Sequence, residues 1–129
     1  MNMDNSKTLD LVYSYSRADA IADGVLIDVT EMAAEAGFRY PMAVTSAVWQ
    51  GCVEVPPACE GEHDEQGRLW DVLHMLRYTI EMQGGSNPTY FHTLVRTCPK
   101  SFDEVRLKAI CGPGDDRRPV LTVLYPHED

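Results

Sequence analysis

The sequence has no hydrophobic run long enough to cross a membrane. A helix that spans a bilayer needs about 18 or more consecutive apolar residues, and no apolar stretch of this chain approaches that length. The first residues are polar, without the apolar segment that follows a basic start in a secretory signal peptide. We therefore expect a cytoplasmic protein that has no membrane partner.

Positive charge is scarce in this chain. Its 129 residues include 11 Lys and Arg against 20 Asp and Glu, a net charge of −9 at pH 7. Direct binding of DNA or RNA normally requires a basic surface that displaces counterions from phosphates. The charge balance therefore argues against nucleic acid as a direct partner and is compatible with a protein partner that has a basic surface. Solubility alone is the other explanation of the acidic residues.

Closely spaced cysteine pairs are also missing. The four cysteines are Cys52, Cys59, Cys98 and Cys111, and disulfides are not expected among them in a cytosolic chain. Cys52 and Cys59 with His63 could be drawn as metal ligands, but gaps of seven and four positions match no common zinc site. We expect neither a metal ion nor a cofactor.

Length and composition indicate one globular domain over residues 1–129. A chain of this length is about one domain long, and its 44% hydrophobic and 24% charged residues are close to the values of ordinary folded proteins. No repeat, low-complexity segment or linker divides it. The polar residues 1–8 are expected to be frayed.

Short elements are predicted at the start of the chain. Residues 11–15 form a β-prone run. Ser16 follows with a side-chain oxygen that can cap a short helix ending at Ala22. Gly24 can close that helix in the left-handed conformation, and residues 25–27 are long enough only for a brief strand.

Two further helices are predicted in the N-terminal half. Either Asp28 or Thr30 starts the second helix, and Gly37 ends it. Pro41 fits the first turn of a third helix, because the missing N–H of proline costs nothing there. We expect this third helix to extend to about Cys52.

The main amphipathic helix is predicted over Arg68–Gln83, after an exposed acidic loop with two prolines at 56–57 and polar residues at 60–66. Trp70 widens its apolar face, and we expect that ring in the core. Residues 84–88 end the helix. The apolar residues recur at the three- and four-residue spacing of one helical face; they are Leu69, Val72, Leu73, Leu76 and Ile80.

Three strands are predicted to follow. Tyr90–Cys98, Val105–Cys111 and Val120–Tyr125 are rich in β-forming residues, and short loops join them. Sequential strands with short connections most simply form an antiparallel meander. The predicted fold is therefore α+β: a helical N-terminal half, whose one long amphipathic helix packs on a C-terminal three- to four-stranded antiparallel sheet.

Three stretches of the sequence carry a resemblance to known proteins. They are Ser16–Val29, Gly67–Leu73 and the segment that runs from Gly112-Pro113-Gly114-Asp115 to Pro119–Thr122. Together they resemble an uncharacterised family of small bacterial, plasmid and phage proteins, a domain of unknown function, and the similarity is collinear from Tyr15 to Asp129. The resemblance implies a scaffold and a mobile-element origin, and it brings no catalytic residues.

The leading functional expectation is a non-enzymatic acidic binding protein of mobile-element type. Such a protein would inhibit a host nucleic-acid-targeting defence system, in the manner of anti-CRISPR or antirestriction proteins, by engaging a basic surface of it. Carboxylates would steer the encounter and then pair with Arg and Lys of the partner. The candidate partner-binding residues lie in two acidic clusters; they are Glu60, Glu62, Asp64, Glu65, Asp115 and Asp116.

Two other functions remain open. Asp71 and His74 lie three positions apart on the long helix and therefore share a face. They are catalytic candidates, because a carboxylate that orients a histidine produces a general base, but no nucleophile motif accompanies them. Alternatively, the chain is a structural or regulatory homodimer that pairs through an edge strand such as Tyr90–Arg96.

Overall fold

The structure is a computed structural model, and it describes residues 15–61, 64–97 and 101–128. Most of the predicted N-terminal strand, the residues 1–8 expected to be frayed, Glu62 and Cys98 lie outside these ranges. Within them, no helix has both the length and the apolarity that a bilayer crossing requires.

A five-stranded mixed β-sheet is the centre of the fold. The order across the sheet is β1-β2-β5-β4-β3. β3, β4 and β5 form the predicted antiparallel meander, whereas β2 runs parallel to β5 and antiparallel to β1. In chain order the strands are β1 (Leu26–Asp28), β2 (Met42–Thr45), β3 (Thr89–Arg96), β4 (Phe102–Pro113) and β5 (Pro119–Leu124).

The prediction of a purely antiparallel sheet of three to four strands is wrong, because the N-terminal half contributes two strands. Met42, Ala43 and Val44 form β2 where the sequence predicts the first turns of a helix, and all three are fully buried. A strand that lies between two others and is covered on its faces has a continuous apolar sequence. The chain becomes helical only at Ser46.

The first two helices begin and end close to the predicted residues. α1 (Arg17–Ala22) is capped by Ser16, whose hydroxyl accepts a hydrogen bond from a helix N–H at 2.9 Å, and Gly24 follows it at a φ of 78°. α2 spans Thr30–Glu35, and Gly37 follows it at a φ of 101°. Glycine reaches these positive φ angles without the strain that a Cβ would cause.

A series of short turns connects β2 to the long helix. α3 (Ser46–Val48) continues as a π-helical turn at Trp49–Val53, and a 3-10 turn follows at Pro57–Cys59. Cys59 is buried and disulfide-bonded, so the expectation that the chain has no disulfide is wrong at this residue. Spacing along a sequence does not determine which sulfur atoms a fold brings together. Cys52 and Cys111 are free.

The long helix α4 (Glu65–Gln83) starts three residues before the predicted Arg68. The Asp64 carboxylate accepts a hydrogen bond from the Gly67 N–H at 2.7 Å and so caps the first turn. Gly84 follows the last residue, as predicted.

The hydrophobic core lies between α4 and the sheet. The predicted apolar face of α4 is buried there, although Ile80 is only partly covered. Phe91 of β3, Leu107 of β4 and Val123 of β5 belong to the same core cluster. Trp70 is 39% exposed, so the prediction that it lies in the core is wrong, because it stands at the border of the apolar face of α4.

The C-terminal turn is tied to β2 and β4 by one acid and one lysine. Oε1 of Glu128 accepts from the Tyr125 N–H at 2.8 Å and from Thr45 Oγ1 at 2.9 Å. Lys108 Nζ donates to the carbonyls of Pro126 and Glu128 at 3.0 and 2.7 Å. These bonds fasten the end of the chain across the parallel β2–β5 pair.

Replacement of Glu128 by alanine is expected to loosen this turn selectively. The change removes both bonds to the carboxylate, and a hydrogen bond to a charged group contributes about 1.5–3 kcal/mol. Amide hydrogen exchange at Tyr125 should become about tenfold faster or more, while exchange at Leu107 in the core stays unchanged. Glu128→Gln keeps an acceptor oxygen and should give an intermediate rate. Equal acceleration at both amides would contradict a local role.

Candidate functional site

A groove runs between α4 and the edge strand β3. Two adjacent cavities, of about 650 and 430 Å³, form this groove and share Asp71, Leu94 and Phe102 in their walls. Cavities that hold small ligands typically measure about 300–1,000 Å³. We call the feature the α4–β3 groove. Its larger cavity is named the arginine end after Arg68 and Arg96, and its smaller cavity is named the histidine end after His74 and His92.

Arg68 lies almost fully buried at the arginine end. Only 6% of the residue is exposed, because it precedes Val72 by four positions and shares the buried face of α4. Its Nε donates to the Val53 carbonyl at 3.2 Å, and its Nη1 donates to the Arg96 carbonyl at 2.9 Å. No carboxylate of the described residues forms an ion pair with it. One guanidinium thus joins the π-helical turn, α4 and the end of β3.

Two buried polar atoms along the groove lack a hydrogen-bond partner. They are Nε of Arg96 at the arginine end and Oγ1 of Thr93 at the histidine end. Within residues 15–61, 64–97 and 101–128, no other buried side-chain nitrogen or oxygen is without a partner. The Arg96 guanidinium also lies over the Phe102 ring, 5.6 Å from its centroid. Buried polar groups are nearly always hydrogen-bonded, and both exceptions among the buried side-chain atoms of the described residues belong to residues that line this groove.

The histidine end contains the catalytic candidates Asp71 and His74. Both are exposed, and both line the same cavity as His92 and Glu104. No hydrogen bond or ion pair joins Asp71 to His74 in the described structure; the His74 ring stacks on Trp70 instead, with centroids 6.2 Å apart. His92 Nδ1 lies 4.0 Å from Glu104 Oε1. The histidine that faces a carboxylate is therefore His92, and helical spacing could not reveal this pair because it joins two strands.

Three large apolar side chains are exposed around the groove. Trp70 is 39% exposed, Leu94 is 59% exposed and Phe102 is 56% exposed, and all three line the arginine end. Contiguous exposed apolar surface on a folded protein marks an interaction site. β3, which borders the groove, is an edge strand of the sheet, so the segment Tyr90–Arg96 does lie at an edge.

The acidic residues predicted to bind a partner fall in two separate places. In the first cluster, Asp64 lines the arginine end, Glu60 and Glu65 are exposed, and Glu62 lies outside the described residues. The second cluster, Asp115 and Asp116, lies in the turn after β4. β4 begins at the groove and runs for 12 residues away from it, which is about 35 Å for a straight strand. The two clusters therefore do not form one surface.

The second cluster has bonding partners within the fold. The two carboxylate oxygens of Asp115 accept from the N–H groups of Arg17 and Ala18 at 2.8 and 3.0 Å, at the start of α1. These hydrogen bonds lower the pKa of Asp115. Asp116 accepts from the Arg118 N–H at 3.0 Å within its own turn. Because the bond from Arg17 spans 98 positions, no local sequence pattern indicates it.

The described residues build neither a thiolate nucleophile nor a metal centre at the groove. Cys52 lines the arginine end, but burial raises the pKa of its thiol, and its Sγ lies 3.7 Å from Tyr125 Oη. A protonated thiol is a poor nucleophile. No group of three or more His, Cys, Asp or Glu in the described ranges could hold a metal ion; His63 lies outside them. The arrangement is suited to binding through hydrogen bonds, charge and apolar contact.

Comparison with known proteins matches a family model to almost the whole chain. The model is described as "Family of unknown function (DUF6573)", and it covers residues 2–129. No curated protein and no solved structure matches the chain. The family match confirms the resemblance to an uncharacterised family, while an origin in bacteria, plasmids or phages stays a prediction.

Asp115→Asn is expected to destabilise the protein only where the carboxylate is ionised. The pKa of the Asp115 carboxyl is lower in the folded protein than in the unfolded chain, so its ionised form stabilises the folded state. This stabilisation is complete above the unfolded pKa of about 3.9 and is lost as the pH falls through the lower pKa of the folded protein. The variant should have a lower Tm than the wild type near neutral pH, and the difference should disappear in acid. Thermal unfolding over a pH series measures this. Asp103→Asn, at an exposed position of β4, is the control, and a difference that is constant with pH would contradict the prediction.

Proposed function

The chain belongs to this family of unknown function, DUF6573, and we propose that it is a non-enzymatic binding protein whose docking surface is the α4–β3 groove. The proposed partner is another protein that presents a basic surface. The observation that carries the proposal is that Trp70, Leu94 and Phe102, all exposed, meet in one groove whose walls also contain carboxylates.

The apolar side chains provide the proposed centre of the contact. Protein interfaces combine an aromatic-rich centre with a polar rim, and tryptophan is among the residues that dominate binding energy in such centres. Trp70 stands on α4 and Phe102 stands on β4. A partner that contacts both rings is therefore held in one orientation relative to the sheet.

Carboxylates provide the proposed electrostatic selection of the partner. Asp64 and Asp71 line the arginine end, Glu104 lines the histidine end, and the chain carries a net charge of −9. Attraction between such a surface and a basic partner raises the association rate and is screened by salt. A host complex that binds nucleic acid has a basic surface, because it must neutralise phosphates. Inhibition of such a complex is therefore the first activity to test. Asp115 and Asp116 have a smaller part in the proposal, since both already bond within the fold.

A second candidate function, an enzyme that uses acid–base chemistry, is favoured by the histidine end. His74, His92 and Asp71 line one cavity, and Glu104 lies 4.0 Å from His92. Imidazole groups are suited to proton transfer near neutral pH. Turnover of a nitrophenyl ester or phosphate by the purified chain, abolished by His92→Gln and unchanged by His127→Gln, would establish this function.

Capture of the proposed partner should depend on both salt and the groove carboxylates. The immobilised full chain is expected to retain a basic host protein at about 0.05 M salt and to release it at about 0.5 M, where the Debye length falls below about 5 Å. Asp71→Asn combined with Glu104→Gln should lower the retained amount several-fold, because two negative charges leave the groove.

The matched control for this experiment is Glu31→Gln combined with Glu35→Gln. It removes the same charge from exposed positions of α2, outside both cavities, and should leave retention close to that of the wild type. Retention that is indifferent to salt, or that falls equally in both double variants, would contradict the proposal. Sedimentation of the purified chain, 14.5 kDa as a monomer, separates this function from self-pairing through β3.

A further inference from the structure

The positive charge of Arg68 is buried without a negative partner in the described structure. Arginine stays protonated in proteins. Its Nε and Nη1 bond to the uncharged carbonyls of Val53 and Arg96, which satisfies two donors but supplies no formal negative charge. A buried charge without an opposite charge is unfavourable. The guanidinium is therefore disposed to bind an anion.

A second guanidinium lines the same cavity. Arg96 has a buried Nε without a hydrogen-bond partner, and the Phe102 ring lies beneath its guanidinium at 5.6 Å. A guanidinium can recognise a carboxylate or a phosphate through two parallel N–H donors. Nε of Arg96 is buried and lacks an acceptor, and an oxyanion bound beside it would supply one. The bond from Arg68 to the Arg96 carbonyl places Arg68 beside the backbone of Arg96, and both residues line the cavity.

Two carboxylates also line this cavity, and their negative charges oppose the binding of an anion. Asp64 is exposed and accepts from the Gly67 N–H, and Asp71 is exposed as well; neither pairs with Arg68 or Arg96 in the described structure. At equal distance, two charges interact about four times more strongly at an effective dielectric constant of about 20 than at about 80. The charge of the buried arginine is therefore screened less than the charges of the two exposed carboxylates. The N-terminus of α4 also borders this cavity, where the Asp64 carboxylate already caps it.

We infer that the arginine end is a binding site for an oxyanion, the phosphate or carboxylate group of a small ligand. Both groups present the oxygen acceptors that a guanidinium binds. The cavity of about 650 Å³ has room for the rest of such a ligand, and Trp70 and Phe102 form apolar parts of its wall. The inference goes beyond the proposed docking function and does not rest on it.

Titration of the purified full chain with inorganic phosphate and, separately, with benzoate tests this inference. Each probe is compared with chloride at the same ionic strength, by NMR of the arginine Nε–Hε groups. We expect saturable shifts of the Arg68 and Arg96 signals with an oxyanion and none with chloride. The probe that binds more tightly identifies which of the two groups the site prefers.

Arg96→Gln is the decisive variant, because replacement of Arg68 would also remove two structural hydrogen bonds. With the Arg68 signal as the readout, oxyanion binding should weaken about tenfold or more, as for the loss of a charge-assisted hydrogen bond. Arg106→Gln is the matched control: its guanidinium lies over the Tyr90 ring at 4.4 Å and lines neither cavity, so binding should be unchanged. Absence of saturation, an equal response to chloride, or equal weakening in both variants would overturn the inference.

Failure of this site and failure of the docking function can be told apart. The titration needs no protein partner. In addition, Asp71→Asn removes a negative charge from the wall of the arginine end, so it should leave oxyanion binding equal or tighter, whereas it should contribute to the loss of partner retention. Weaker oxyanion binding in this variant would contradict the site and would not bear on the docking proposal.

Discussion

The buried guanidinium of Arg68 is the interaction on which the rest of the candidate site depends. It donates to one backbone carbonyl at the end of the π-helical turn and to another at the end of β3. These two hydrogen bonds connect the π-helical turn, α4 and the end of β3. The two carbonyls satisfy part of its hydrogen-bonding capacity but none of its charge. The same residue therefore connects the walls of the groove and places a positive charge in one of them.

A buried arginine, exposed apolar side chains and nearby carboxylates make the groove chemically different from the rest of the described surface. The exposed acids alone are explained by solubility, and Asp115 has its own explanation in the cap of α1. Solubility does not explain a buried, uncompensated arginine, nor the exposure of Trp70 and Phe102 at the same place. The acidic clusters that stand out in the sequence are therefore less informative about function than the groove between α4 and β3.

Local signals in the sequence account for much of the fold, including the cap at Ser16, the apolar spacing of α4 and the C-terminal meander. They could not reveal β2, because a short apolar run fits a buried strand and a buried helix equally well. Its parallel partner is also distant in sequence, since Met42 pairs with Leu121. The position of Arg68 on the buried face of α4 follows from helical spacing, so the sequence alone is sufficient to indicate it. Its contact with Arg96 spans 28 positions and depends on how α4 meets β3.

The exchange of arginine Nε–H protons with water, measured by NMR on the ligand-free chain, tests the role of Arg68 most directly. A guanidinium that is buried and bonded to two carbonyls should exchange its Hε about tenfold more slowly, or slower still, than the exposed guanidinium of Arg106. Equal exchange rates at the two residues would contradict the claim that a buried arginine organises the groove.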